Sequence, residues 1–399
     1  MNKLIKKYQS IDQPVLLDSF IKMNSYPPLD SIAFAEVYDD FAEKIGVSAD
    51  FLINKIMKNK PFLYSVLDTM YGRIGVVLLP VKNKEVYISD SLLSIINEGI
   101  SFAKSCGAKC ASLTGLLPSA TDYGNDIVQY ARENGNSSFS LTTGHGSTIA
   151  AIVINIESIL YQVKRNINKE VVSYVGLGSI GILTLNLMLL TLSHPKKIIL
   201  CDLFSRRVDL EKIRDSLIIN FGYDGEIHIA VGYDSNGHLP RIIYDEATLI
   251  IGATNVPNIV STKLLKPGTI IIDDSAPHIF DLESCLSRFK NKKDILVLQA
   301  GKVTLPITIS SILNDLEHSA IYETKTCDNR NEIMGCTFGS ILPLVSIKTC
   351  CTIGLVDLQI ANAYYVFFLK EKVSASSLQC GQYYYTTQDL YEFQLTTSA

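Results

Sequence analysis

Residues 171–192 read VVSYVGLGSIGILTLNLMLLTL, and the order of residue types in this stretch decides the fold. β-Branched and aromatic residues come first, then Gly176-Leu177-Gly178-Ser179-Ile180-Gly181, then an apolar run of about three helical turns. That order is strand, glycine turn, helix. Each glycine has its own task in such a turn. Gly176 permits the tight bend, Gly178 lets the backbone approach a pyrophosphate, and Gly181 lets the helix pack closely on the strand. Ser179 and Ile180 open the helix, whose amino end faces the phosphates. The next predicted strand, IILCD, ends in Asp202, the position from which an acidic residue reads a ribose hydroxyl. A glycine motif alone is common. The strand before it, the helix after it and the acidic residue beyond make this one a dinucleotide-binding signature.

Working outward, apolar strand-like runs recur at 171–177, 197–202, 226–231, 248–254, 269–275 and 294–301, mostly separated by helical segments. They predict an α/β fold with a Rossmann-type doubly wound parallel sheet, whose ligand crevice lies beyond the carboxyl ends of the strands. The turns holding Thr254 and Asn255, and Asp273 and Asp274, fall at those ends and are expected to line the nicotinamide half of the site. Gly301 closes the last strand in the run AGKV. A plainer reading of the two aspartates is a helix N-cap and a solvated turn. Two features oppose each other on cofactor choice. Asp202 repels a 2′-phosphate, whereas Arg206 and Arg207, just beyond it, can clamp one.

On the amino-terminal side, residues 1–60 read as short helical pieces separated by turns. Residues 71–81 form a strand-like run, 91–106 an amphipathic helix, and 111–113 a strand followed by a Thr114-Gly115 turn. A polar turn at 142–148 caps a predicted helix, 149–163, that leads into the nucleotide domain. Beyond 310, helices are predicted over 335–346 and 353–370, followed by a polar, tyrosine-rich tail. The expected division is an α/β substrate domain with a helical extension over 1–165, a Rossmann NAD(P)-binding domain over 166–310, and a helical segment over 311–399 carrying a candidate catalytic cysteine.

Composition narrows the function classes. At 399 residues the chain exceeds one average domain. Charged residues make up 19%, the net charge is −4, and no basic patch of the kind nucleic acid requires is visible. Nine cysteines, an odd number without a CxxC pair, and an amino terminus lacking an apolar secretion core lead to the expectation of a reducing cytoplasm. The longest apolar runs, 180–192 and 341–347, fall short of the roughly 20 residues that span a bilayer. A mean hydropathy of +0.20 is nonetheless high, and suits an extensive core or apolar surface for a greasy substrate, a partner or a membrane face.

Six histidines offer neither HxxxH nor HxH, so no metal site is expected, and no GxSxG elbow marks a serine nucleophile. A cysteine nucleophile has one candidate. Cys336 lies in NRNEIMGCTFGSILPL, after a polar segment at 327–330 and near the start of the predicted helix. There the helix dipole would lower its pKa, and Gly335 and Gly339 would leave room for a thioester. The plain alternative is a buried core cysteine.

Taken together, YGRIGVVLLP, SLTG, FSLTTGHGSTIAAIVINIE, VVSYVGLGSIG, IIIDDSAP, AGKV and IMGCTFGSILPL resemble, in order and spacing, the cyanobacterial-type long-chain acyl-[acyl-carrier-protein] reductases. The resemblance covers roughly residues 65–370. It implies that an acyl group passes from acyl-carrier protein or acyl-CoA to a cysteine, the place held here by Cys336, and is reduced by NADPH to a free aldehyde. An aldehyde-consuming enzyme or a peripheral membrane contact would then follow. NADPH is the expected cofactor, with NADH the alternative that Asp202 keeps open. The family's TTGN turn is TTGH here. His145 is therefore a candidate for proton transfer, its unperturbed pKa of about 6.5 suiting the task, or else a polar residue capping the next helix. Two other functions fit the sequence: a noncovalent NAD(P)-dependent dehydrogenase of an amino or hydroxy acid, and a redox-sensing NAD(P)-binding regulator.

Overall fold

The computed structural model describes residues 28–44, 46–136, 138–233, 237–311 and 331–397. The chain forms two compact units: unit 1 from the described parts of Met1–Ser147, Leu305–Val356 and Leu369–Val373, and unit 2 from those of Thr148–Thr304, Asp357–Phe368 and Ser374–Ala399.

Unit 1 begins with β1 (Ser31–Val37), a short helix Asp39–Lys44, and the hairpin strands β2 (Phe62–Thr69) and β3 (Gly72–Lys82). There follow α1 (Leu92–Ser105), β4 (Cys110–Leu113), α2 (Asn125–Glu133) and β5 (Ser140–Thr142). The sheet order is Ser310–Ser311, β2, β3, β1, β4, β5. β1 runs parallel to both β3 and β4, so it lies inside the sheet. This corrects the expectation of helical pieces before residue 60, which holds only after β1; residues 1–27 lie outside the described residues. The reason is composition: SIAFAEV is buried along its length, but its two alanines and Glu36 fit a short helix as well as a strand. Ile96, Ile100 and Ile127 from α1 and α2 cover Phe34, Val77 and Leu113 on one face. Phe41, Leu52 and Ile53 pack with Tyr64 and Leu78 in a second cluster.

Helix α3 (His145–Gln162) starts four residues before the predicted position, so Ser147 and Thr148 belong to its first turn rather than to a cap. The division between units falls in that turn, not near residue 165. Unit 2 then lays down β6 (Val171–Val175), α4 (Ser179–Thr191), β7 (Lys197–Asp202), α5 (Arg207–Phe221) and β8 (Glu226–Val231). α6 (Arg241–Glu246), β9 (Leu249–Gly252), β10 (Thr269–Asp273), α7 (Leu282–Lys292) and β11 (Ile295–Gln299) complete it. Every strand is parallel to its neighbours in the order β11-β10-β9-β6-β7-β8. Counted within the unit this is 3-2-1-4-5-6, the order of a Rossmann doubly wound sheet, with the reversal between β6 and β9. α4 is buried nearly all round, which explains its apolar sequence.

The returning chain differs from expectation in three places. The predicted helix 335–346 is two single turns, α8 (Gly335–Phe338) and α9 (Leu342–Val345), because Gly339 meets the backbone of Gly144 and Pro343 opens the second turn. The helix predicted from 353 starts only at Leu358, giving α10 (Leu358–Lys370), after Gly354 turns with φ +73°. The tail forms a hairpin of Gln379–Cys380 with Tyr383–Tyr384, and then α11 (Thr387–Thr397). The described residues of 311–399 therefore do not make a third body: those of Leu305–Val356 join unit 1, and most of the others join unit 2. Among the described residues no helix is long and apolar enough to cross a membrane.

Candidate functional site

The glycine turn of unit 2 shows three different environments. Gly176 has φ +86°, and a Cβ there would lie 2.4 Å from the Ala253 carbonyl oxygen. A Cβ on Gly181 would lie 2.0 Å from the Gly176 carbonyl oxygen, so α4 packs directly on the turn. Gly178 has an extended backbone, and a Cβ there would meet nothing within 4 Å. Only the middle glycine borders open space, the cradle a pyrophosphate needs. No side chain caps the amino end of α4 at Gly178, so its first N–H groups suit an anion. Ser179 is buried behind this end and Ile180 half-buried beside it.

Asp202 ties the end of β7 to the turn. Its Oδ2 accepts from the Leu177 N–H at 2.9 Å, and its Oδ1 accepts from the Leu203 N–H at 2.7 Å. Arg206 approaches Asp202 at 3.7 Å and Asp209 at 3.3 Å. Arg207 points along the exposed side of α5 to Glu211. The two arginines are not equivalent: Arg206 flanks Asp202, whereas Arg207 belongs to the helix surface. Thr254 packs against Gly176, donates its N–H to Ser275 Oγ at 3.0 Å, and is followed by an exposed Asn255.

Asp273 is the last residue of β10 and Asp274 follows it half-buried, so the pair is not a solvated turn. Asp273 is 1% exposed and accepts from the backbone N–H groups of Ser275 and Ile279. Its Oδ2 lies 2.9 Å from His278 Nδ1, and a Cβ on Gly252 would be 2.2 Å from its Oδ1. His278 stacks on Phe280, and its Nε2 lies 2.7 Å from Gln299 Nε2. Burial first, and the neighbouring Asp273 second, push the Asp274 carboxyl up to about 8, so it holds a proton at neutral pH. Gly301, at φ +84°, follows Ala300, whose N–H donates to the Asp273 carbonyl. His278 escaped the sequence reading. Its signal was DDSAPH, where Pro277 folds the chain back so that the histidine reaches an aspartate five residues earlier.

Unit 1 seats Cys336 against Gly144, the residue that precedes His145. A Cβ on Gly144 would lie 2.8 Å from Cys336 Cα, and one on Gly339 would lie 2.9 Å from Gly144 Cα, so the two segments touch through glycine. Ser112 donates its hydroxyl to the Cys336 carbonyl at 2.6 Å. Thr142 and Thr143 both hydrogen-bond to Thr352. Cys336 is half-buried, in contrast to the buried Cys106, Cys110, Cys201, Cys285 and Cys380. Its helix is one turn long, so the dipole invoked from sequence is largely missing. His145 also departs from its premise. Burial lowers its pKa to about 4, so the ring is neutral at pH 7 and packs edge-on to Tyr123.

Two further groups in unit 1 were not anticipated. Glu36 is 1% exposed; its Oε1 accepts from the Leu116 N–H and the Tyr38 hydroxyl, each at 2.8 Å, while its Oε2 has no hydrogen-bond partner among the described residues. Burial raises the Glu36 carboxyl, and burial together with Glu36 and Cys336 raises the Tyr38 phenol. Among the described residues, no group of three or more His, Cys, Asp or Glu side chains is placed to hold a metal ion.

No protein-family model matches the chain, and no curated protein matches it by sequence. Similar solved structures include L-tryptophan dehydrogenase from Nostoc punctiforme, at 11% identity and TM-score 0.35, covering 94% of this chain and 90% of that one. Shikimate 5-dehydrogenase from Listeria monocytogenes, bound to shikimate and NAD, is 12% identical with TM-score 0.32, covering 68% and 86%. Thermococcus litoralis Δ1-pyrroline-2-carboxylate reductase, bound to NADH and L-proline, is 12% identical with TM-score 0.27, covering 57% and 67%.

Proposed function

We propose that this chain is a nicotinamide-dependent oxidoreductase, and within that class an acyl-thioester reductase that forms an aldehyde. The observation that supports the class is the glycine turn, where Gly176 and Gly181 are closed by backbone and Gly178 alone opens outward. The residues that would hold the dinucleotide are Gly176, Gly178, Ser179, Ile180 and Gly181 at the phosphates and Asp202 with Arg206 at the ribose. Thr254, Asn255, Asp274 and Gly301 would serve the far end. Arg206 beside Asp202 supports NADPH, and NADH remains the alternative through Asp202 itself. When bound, the reduced nicotinamide supplies a hydride.

The finer reading rests on Cys336. Its half-exposed thiol and the glycines around it suit attack on an acyl carbonyl, with the carrier's thiol as leaving group. The quoted motifs that resemble acyl-[acyl-carrier-protein] reductases support the same substrate class, with acyl-carrier protein or acyl-CoA as donor. A second reading, a noncovalent dehydrogenase of an amino or hydroxy acid, is favoured by His278. An imidazole oriented by a buried carboxylate is a general acid–base arrangement that needs no thiol. The dehydrogenases and reductases named above resemble the chain too loosely to choose between the two.

The class is tested by titrating NADPH and NADH against the intrinsic fluorescence of the natural chain and of Gly178→Val. The backbone at 178 is extended and its surroundings open, so the variant should fold and lose cofactor affinity. Equal affinity in both proteins would refute the Rossmann cofactor site.

A further inference from the structure

Two thiols that no part of the proposed reaction uses lie in contact in unit 1. Cys110 Sγ on β4 and Cys351 Sγ are 3.7 Å apart, although 241 residues separate them in sequence. Cys110 is fully buried and Cys351 is half-buried, so one sulfur is reachable from outside and its partner waits behind it. The contact with Cys110 holds Cys351 below the ordinary thiol value, while the same contact and burial hold Cys110 above it. This is the division of labour between an attacking and a resolving cysteine.

The next residue makes the pair consequential. Thr352 donates its N–H to Thr142 Oγ1 at 3.0 Å, accepts from the Thr143 N–H at 2.8 Å, and shares hydroxyl contacts of 3.0 Å with both threonines. Thr142 and Thr143 lead directly into Gly144, whose Cα is packed on Cys336. A covalent bond at Cys351 therefore acts, through one residue, on the turn that seats Cys336.

We infer that Cys110 and Cys351 form a reversible oxidation site, closed to a disulfide by hydroperoxides, that alters the seating of the Cys336 segment. The chemistry balances with hydrogen peroxide as oxidant. The Cys351 thiolate attacks one peroxide oxygen, the O–O bond breaks, and hydroxide leaves, giving a sulfenic acid. The Cys110 sulfur then gives up its proton and attacks Cys351. The S–S bond forms as the S–O bond breaks, and the departing hydroxide takes a proton. Two thiols are oxidised by two electrons, and one peroxide becomes two waters.

The test uses the full chain, reduced and then treated with a small excess of hydrogen peroxide. Intact-mass measurement should show the loss of two hydrogens, peptide mapping should join Cys110 to Cys351, and dithiothreitol should restore the starting mass. Cys110→Ser should stop at a Cys351 sulfenic acid that dimedone traps, and Cys351→Ser should show neither product, with circular dichroism confirming that both fold. Iodoacetamide labelling of Cys336 should slow by about threefold or more in the oxidised protein, the scale of coupling through a few packed groups. A disulfide that instead uses Cys350 or Cys336, or no disulfide at all, would overturn the site. An unchanged Cys336 labelling rate would overturn its link to the turn. Neither readout depends on nicotinamide or on turnover.

Discussion

His145 shows how a buried ring converts environment into pH dependence. Its folded pKa of about 4 lies below the unfolded value of about 6.5. The unfolded chain thus binds the proton more readily, and stability rises with pH through that window. The destabilisation due to His145 should be absent above pH 6.5 and reach about 3 kcal/mol as pH falls to 4, a contribution that His145→Gln removes. Urea unfolding at stepped pH measures this, and parallel profiles for the two proteins would show that the ring is solvated. At this scale the glycine motif was legible because its chemistry is local: turn, cradle and helix contact all sit within six residues. Glu36, Tyr38 and His278 were not, since nothing in the sequence around a glutamate says that Gly115 and Leu116 will close over it. Cys336 stood out by its neighbours, but the length of its helix depended on a contact with Gly144 that only the fold supplies.

Among elements, an ion pair clamps three strands together at the end of unit 2's sheet away from the glycine turn. Glu170, 3% exposed just before β6, meets Arg165 and accepts from Thr248 Oγ1, while Arg165 donates to the carbonyls of Gly268 and Thr248. The clamp joins the starts of β6, β9 and β10. Arg165→Met would strip the buried Glu170 carboxylate of its cationic partner, leaving it the Thr248 hydroxyl, and would take a donor from the Gly268 carbonyl, and should cost unit 2 about 3 kcal/mol in chemical denaturation. It should leave cofactor affinity unchanged, because the site is at the opposite ends of the strands. A loss below about 1 kcal/mol would mean that the pair behaves as a surface contact. All six strands of this sheet were legible: the inner ones, buried on both faces, read as continuous apolar runs bounded by turns, and the more exposed edge strand β8 by its β-branched residues. β1, equally buried, was missed because its alanines and acidic residue fit a short helix as well as a strand.

For the whole molecule, the division into two compact units implies that ligand effects on stability are selective. NADPH at about 100 times its dissociation constant should stabilise the unit 2 transition by about 2.7 kcal/mol in calorimetry. The unit 1 transition should stay in place, and an equal shift of both would contradict the assignment of the cradle to unit 2 alone. The returning segments obscured this division in the sequence, because the described parts of Leu305–Val356 bond to residues more than two hundred positions earlier. The proposed thioester chemistry of Cys336 is read by intact-protein mass after mixing with acyl-carrier-protein or CoA thioester in the absence of cofactor. One acyl mass should appear, map to Cys336, be absent from Cys336→Ser, and disappear with release of aldehyde when NADPH is added. No adduct on any cysteine, with an unchanged reduction rate in Cys336→Ser, would contradict the covalent mechanism.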